Sequence, residues 1–408
     1  MIKESIVKKN KLPKDWQILP FGDVCEISGG SQPPKSTFIY DTKEGYIRLV
    51  QVRDYRTSKF ITYIPKERAK KFCSKTDIMI GRYGPPIFGI FRGLEGAYNV
   101  ALMKAIPNKE LLNQEYLYWF LKTDSLVKFV EKSSKRAAGQ DGVRKEVLYT
   151  YPTPIPPIPQ QKSLVSTIIK AFTAIDIVKV NAKQNLQNAK ELFESYLQNV
   201  FENKGDGWEI EKLGVLGKLT SSKRIYKKEY VSNGVPFYRS KEIKELSHNR
   251  KLSIELFISE QRYTEIKNKF GIPKEGDLLL TAVGTIGEMY IVKKGDEFYF
   301  KDGNIMWLKD FSNLNSYYLK YALTNFVERL KALSHGAAYS ALTIEKLKEY
   351  SIPIPPIDEQ KKIVQKLDAL STETKKLEAI YTQKIADLDE MKKSVLQKAF
   401  SGQLNTKK

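Results

Sequence analysis

The stretch Pro154-Ile155-Pro156-Pro157-Ile158 returns letter for letter as Pro353-Ile354-Pro355-Pro356-Ile357 in a chain of 408 residues. The second copy begins 199 residues after the first (353 minus 154), and this offset continues without a gap. Gln161 and Lys162 fall on Gln360 and Lys361, Val165 on Val364, and Ser195, Leu197, Gln198 and Phe201 on Ser394, Leu396, Gln397 and Phe400. Four of the five residues in the phrase are prolines or precede one, so the backbone is held extended and cannot continue a helix. From 159 to about 200, and from 358 to about 399, there is no Gly and no further Pro, while Lys, Glu, Gln, Leu and Ala abound. That composition predicts two long helices. Gln160 or Asp358 then lies near a helix start, where a polar or acidic side chain suits the positive end of the dipole. A competing reading, a ligand for a proline-recognising module, is weaker because both copies lead into a helix at the same spacing.

Each predicted helix carries a narrow apolar stripe near 3,4 spacing. In the first it runs through Ile168, Ala171, Ile175, Val178, Ala182, Ala189, Leu192 and Tyr196; in the second, through Leu367, Leu370, Leu377, Tyr381, Leu388, Met391 and Val395. Asn185, Thr374 and Lys384 read as interruptions. A helix of some forty residues is about 60 Å long, too long to bury such a stripe against one small domain. It needs another long helix, and the nearest is its own counterpart in the repeat. Related by a pseudo-two-fold axis, the two are expected to pack antiparallel with one globular unit at each end.

Upstream, the same order of anchors recurs. WQILPFG (16–22) corresponds to WEIEKLG (208–214), GYIRLVQVRDY (45–55) to GVPFYRSKEI (234–243), and DIMIGRYG (77–84) to DLLLTAVG (277–284). Each of the second pair carries an Arg, Arg48 or Arg239, in a strand-like run, and the third pair reads as apolar strands entering Gly-ended turns. Asn99 and Asn304 precede further apolar runs, followed by the helical patterns YLYWFLK (116–122) and YYLKYALTNF (317–326). This is a two-fold repeat of units of about 200 residues, too long for a solenoid. Between anchors the residues differ, so one frame presents two different surfaces.

Charge narrows the partner. With 68 Lys and Arg against 47 Asp and Glu, the net charge of +21 favours a polyanion. No apolar run of 18 residues exists, and the Lys-rich start leads to Trp16 instead of an apolar signal segment, which favours nucleic acid over membrane and the cytoplasm as compartment. Cys25 and Cys73 stand in unlike contexts and read as ordinary buried thiols. His248 and His335 have neither metal-ligand spacing nor a neighbouring nucleophile, and read as a solvated and a loop histidine. GGSQPPKS at Gly29 has Pro34 where a phosphate loop needs its second Gly. GPPIF at Gly84 lacks both the acceptor and the aromatic of the amino-methyltransferase tetrapeptide, so it reads as a turn. No catalytic residue, metal site or cofactor is expected in this chain.

KLPKDWQILPFGDV, the GYIRLVQVRD and GVPFYRSKEI strands, DLLLTAVGTIG and above all IPIPPIDEQKKIVQKLDAL resemble the specificity subunit of type I restriction-modification systems. The first copy departs slightly: Pro159 and Gln160 stand where the second has Asp358 and Glu359. The resemblance implies an α+β chain in which two pseudo-symmetric α/β target recognition domains (1–152 and 204–351) are separated by two helical spacers (153–203 and 352–408) packed as an antiparallel coiled coil. It further implies a non-catalytic reader of double-stranded DNA. Two modification subunits would bring S-adenosylmethionine, and restriction subunits ATP and Mg²⁺. Candidate DNA contacts are Lys35, Arg48, Arg53, Arg82, Tyr83 and Arg144 in the first unit, and Lys223, Arg224, Arg239, Lys241 and Thr285 in the second. Gln140 and Tyr339, in the loops AAGQDGVR and SHGAAYSA, join them. For Arg48 and Arg239 a framework role, pairing a carboxylate, stays open beside base contact. A DNA-acting enzyme with an unrecognised site and an RNA-binding or coiled-coil scaffold are the alternative readings.

Overall fold

The proline phrase enters the fold as a strand. In the computed structural model, which describes residues 12–83, 87–134, 142–203, 205–333 and 342–404, strand Pro152–Ile155 pairs antiparallel with Gln17–Pro20, and Ser351–Ile354 with Glu209–Lys212. The first and last anchors of each half are therefore partners. Proline is tolerated because in a two-stranded ladder each strand has a free edge. The extended entry expected from the sequence is thus half ladder, half unpaired, and the helix begins on the last residue of the phrase, Ile158 or Ile357.

A buried glutamine locks each joint. The side chain of Gln161 accepts from the Asn113 N–H at 2.8 Å and donates to the Leu111 and Pro156 carbonyls, both at 2.8 Å. Gln360 repeats this with Asn315 N–H at 2.8 Å, Asn313 O at 3.0 Å and Pro355 O at 2.9 Å. Asn113 and Asn315 in turn cap the helices that follow them, Gln114–Phe120 and Ser316–Leu333, by accepting two backbone N–H groups each. The hydroxyls of Tyr116 and Tyr318, from those helices, donate to Pro154 O and Pro353 O at 2.8 Å. Trp16 and Trp208 complete the joint through their indole N–H groups, which reach Gln160 and Glu359.

Two compact units emerge, residues 1–183 with 382–408 and residues 184–381. In unit 1 an antiparallel sheet has the order Cys25–Gly29, Leu102–Pro107, Ile78–Gly81, Ile90–Phe91. A second sheet runs Tyr63–Pro65, Tyr46–Val50, Gly96–Tyr98, Phe72–Cys73, with its middle pair parallel. Unit 2 repeats the first as Lys218–Thr220, Ile305–Lys309, Leu278–Thr281, Met289–Ile291. Its second sheet, Tyr230–Val231, Phe257–Ile258, Val235–Tyr238, Tyr299–Phe300, keeps the parallel pair but has a different edge strand. The apolar strands of DIMIGRYG and DLLLTAVG are buried along their whole length inside these sheets. Ile78, Ile80, Tyr116, Phe120, Ile168 and Phe400 share one core in unit 1; Leu278, Leu280, Tyr318, Leu323, Phe201 and Leu367 share its counterpart in unit 2.

The long helices span Ile158–Glu202 and Ile357–Phe400. In unit 1 Asp176 pairs with Lys392 and Lys179 with Asp389, so three residues forward on one helix are three residues back on the other. That is antiparallel packing. In unit 2 Asn185 Nδ2 donates to the Tyr381 hydroxyl at 3.3 Å in the same sense. Burial at Ile168, Ile175, Ala182 and Ala189 follows a strict seven-residue step. Four positions of the expected stripe, Val178, Leu192, Leu377 and Met391, are instead exposed. Thr374, read as an interruption, is buried, one step of seven after Leu367. Its hydroxyl donates to Leu370 O at 2.9 Å within its own helix, which lets a polar residue occupy the position.

Candidate nucleic-acid interface

In unit 1, one turn gathers the loops that carry the candidate residues. The turn at 98–102 accepts Gly30 N–H at Leu102 O (3.0 Å), Ser31 N–H at Tyr98 O (3.1 Å) and Arg82 N–H at Ala101 O (2.8 Å), while Asn99 N–H reaches back to Val50 O (3.2 Å). Val143 N–H then donates to Arg82 O at 3.0 Å, and Tyr83 bridges to Gly142. Gly30 is required here because a Cβ would lie 1.9 Å from the Asn99 carbonyl oxygen. Four segments, around 30, 50, 82 and 143, are thereby tied to one end of the two sheets.

Unit 2 reproduces the same ties with different residues. Ser222 Oγ donates to Phe300 O at 2.6 Å and Ser221 Oγ to Ile305 O at 3.1 Å. Lys301 N–H reaches Tyr238 O at 2.8 Å, Ala282 N–H reaches Asn304 O at 2.8 Å, and Leu342 N–H reaches Ala282 O at 3.3 Å. The frame is shared and the exposed residues on it are not.

The structure brings Arg82, Tyr83 and Arg144 together. Arg82 lies 5.0 Å over the Tyr83 ring, and Arg144 precedes helix Lys145–Tyr149, directly after the segment that Arg82 and Tyr83 hold. Lys35 is exposed at the start of the 3-10 turn Lys35–Thr37. Arg53, half-exposed, donates to Phe60 O and the Thr62 hydroxyl. In unit 2 Thr285 is exposed in the loop after Leu278–Thr281, where its carbonyl accepts from the Thr281 hydroxyl. Lys223 lies 4.9 Å over the Phe270 ring, and Arg224 pairs with Asp302 at 2.8 Å. Gln140, Tyr339, His335 and the Gly84-Pro85-Pro86 turn lie outside the described residues.

Arg48 and Arg239 both pair carboxylates. Arg48 Nη2 stands 3.5 Å from the fully buried Asp54. Burial pushes the Asp54 carboxyl above its usual range, outweighing the Gln51 N–H and the Arg48 charge that pull it down. Arg239 donates to Glu242, 2% exposed, and to Glu255, each at 2.8 Å, and Lys241 also holds Glu255. Hydrogen bonds from Lys241 and Arg239 hold Glu255 down at about 2, and those to Glu242 and Glu255 raise the Arg239 guanidinium. The two arginines are not register equivalents. Leu49 and Val50 pair with Ala97 and Tyr98 as Phe237 and Tyr238 pair with Tyr299 and Phe300, which sets Arg239 opposite Gln51. Both of those residues open a turn whose third position, Asp54 or Glu242, bonds back to their N–H.

Helix Glu260–Phe270 was not foreseen, because the corresponding stretch of unit 1 holds only the 3-10 turn Lys66–Arg68 and the strand Phe72–Cys73. His248, expected to be solvated, is half-exposed and stands 3.2 Å from Glu288. Cys25 and Cys73 are free and buried. Among the described residues no cluster of His, Cys, Asp or Glu could hold a metal, and no helix is long and apolar enough to cross a membrane.

Comparison with known proteins gives a consistent answer. The family model for the type I restriction modification DNA specificity domain matches twice, at residues 13–188 and 205–386. The MjaVIII type I restriction enzyme specificity subunit of Methanocaldococcus jannaschii is 23% identical, with 97% of this chain and 95% of that protein covered. A chain solved in work on complex assembly and conformational transition of the type I R-M system superposes with a TM-score of 0.75 at 20% identity, covering 97% of this chain and all of that one. The S subunit from Thermoanaerobacter tengcongensis superposes at 0.64 and 19% identity, covering 98% and 100%.

Proposed function

This chain belongs to the type I restriction-modification DNA specificity domain family, and from that premise we propose how it works as the specificity subunit of such a system. Each unit reads one half of a bipartite DNA target. The two halves differ in sequence, because one hydrogen-bonded frame carries different exposed residues in the two units. That repeated frame is the observation on which the reading rests: the ties at 98–102 recur at 300–305, while Gln32 and Tyr83 give way to Arg224 and Val283. Each continuous helix, about 68 Å at 1.5 Å per residue for the longer, sets the spacing between half-sites.

Base contacts fall to Arg82, Tyr83, Arg144 and Arg53 in unit 1 and to Thr285 in unit 2, with Lys35 on phosphate. Arg48, Arg239 and Lys241 act instead as framework, since their carboxylate partners already occupy them. Gln140 and Tyr339 remain assigned to the recognition loops. The chain itself carries no chemistry and works in the cytoplasm on duplex DNA. Two modification subunits supply S-adenosylmethionine-dependent adenine methylation, and restriction subunits supply ATP- and Mg²⁺-dependent cleavage. Binding of the purified chain, alone and with its methyltransferase subunits, to target and scrambled duplexes tests this. Preference for the target that strengthens with the partners is expected, with no methylation by the chain alone. Equal binding of both duplexes in the presence of partners contradicts it.

A further inference from the structure

We propose that unit 2 contains a phosphate cleft without a counterpart among the described residues of unit 1, in which Lys223 and Lys269, between the aromatic walls Tyr226 and Phe270, grip a phosphodiester beside the second half-site. This rests on the DNA-reading assignment above and goes beyond it: these residues add affinity without adding sequence information.

The cleft is made by helix Glu260–Phe270. Ser259 caps it by accepting the Arg262 N–H at 3.2 Å, and Gly271, at φ 79°, ends it. Tyr263 and Ile266 bury against Ile225, Val235, Phe237, Ile258 and Tyr299, which fixes the face that remains. The last turn, Asn268, Lys269 and Phe270, then lines a cleft of about 470 Å³ with Lys223, Arg224, Tyr226 and the Arg262–Glu265 ion pair.

Charge accounting separates the cations. Arg224 is held by Asp302 at 2.8 Å, and Arg262 by Glu229 at 2.9 Å and Glu265 at 3.0 Å. Lys223 lies over the Phe270 ring, and neither it nor the exposed Lys269 has a carboxylate partner among the described residues. Two ammonium groups are left for an anion. An ammonium is a compact point charge suited to phosphate, and it lacks the planar fork that reads a guanine edge. Tyr226 and Phe270 are 58% and 45% exposed, large aromatic faces left in water beside those cations. A sugar-phosphate strand covers both kinds of group at once.

Among the described residues, unit 1 has no such device. Ile27 pairs with Ala105 as Leu219 pairs with Leu308, and the offset of 192 (219 minus 27) carries on to the 3-10 turns Lys35–Thr37 and Lys227–Glu229. On that register Ser31, Gln32 and Pro34 stand where unit 2 has Lys223, Arg224 and Tyr226.

The test uses the full chain with its methyltransferase subunits and fluorescence anisotropy on target and scrambled duplexes over a salt series. The Lys223→Ala/Lys269→Ala variant is expected to lose affinity by the same factor on both duplexes. The magnitude of its slope of log K against log salt is expected to fall by about 0.9, the value for the one phosphate that the two lysines share. The ratio of target to scrambled binding stays unchanged. An unaltered slope in a variant that still prefers the target overturns the cleft and leaves the reader intact; so does a loss confined to the target duplex, which would make the lysines base readers. Wild-type protein without preference for the target overturns both readings.

Discussion

Replacing Gln360 by leucine tests the joint that couples each reading unit to its helix. The wild-type side chain is fully buried, and its three hydrogen bonds serve one N–H, of Asn315, and two carbonyls, of Asn313 and Pro355. Leucine keeps most of the volume and leaves all three groups without a partner. At about 1–3 kcal/mol for each buried polar group left unsatisfied, and with carbonyls at the lower end, the loss comes to about 3–5 kcal/mol. For a unit of this size each kcal/mol lowers the midpoint by about 2–4 °C, so the transition of unit 2 should fall by about 6–20 °C. Hydrogen exchange read by mass spectrometry localises the effect. The Asn315 amide, the first turn of Ser316–Leu333 and the strap Ser351–Ile354 should exchange faster, and the equivalent peptides of unit 1 should not. Gln360→Glu separates bonding from volume, because it keeps the acceptor for Asn315 but points a carboxylate oxygen at two carbonyls; it should cost at least as much as leucine. Unchanged exchange at Asn315, with a midpoint within about 1 °C of wild type, would refute the joint as described.

Three further outcomes follow from the same structure. Thr374→Val should alter stability by no more than about 1 kcal/mol in urea unfolding, since the buried hydroxyl bonds only within its own helix, whereas Thr374→Asp should cost several times as much. Burial raises the Cys25 thiol to about 12 and the Cys73 thiol to about 11, so at pH 8 about one molecule in a thousand or fewer carries either thiolate. A disulfide reagent should therefore find no fast thiol in the native protein and two after denaturation; a fast native thiol would contradict the packing around one of them. Exchange of residues 206–351 for the second recognition domain of another family member should change one half-site of the methylated sequence, and a change in both would contradict the modular reading.

The repeat and the helices were legible because periodicity and an ungapped offset of 199 survive in the letters themselves. The joint was only half legible. Gln161 and Gln360 stood out as a matched pair, but their partner Asn113 lies 48 residues from Gln161 and Asn315 lies 45 from Gln360, so nothing local gives the glutamine its role. The pairing of Arg48 with Arg239 failed for a related reason. Insertions between anchors shift the offset from 192 near Ile27 and Leu219 to 188 at Val50 and Tyr238, and only the ladder reveals it. Helix Glu260–Phe270 had no repeat partner to betray it, yet it supplies Lys269 and Phe270 to the cleft. Thr374 was misjudged because a hydroxyl that bonds its own helix can occupy an apolar seam. Where the two halves agree the sequence shows the frame; where they differ, three-dimensional placement is needed to find the surface.

The most direct test of the two-unit reader is a genome-wide map of methyladenine in cells carrying this gene with its methyltransferase partner, compared with cells lacking this gene alone. One asymmetric bipartite sequence with a spacer of fixed length, lost completely without this chain, is expected. Methylation that persists without it, or that falls on a single continuous sequence, would contradict the account.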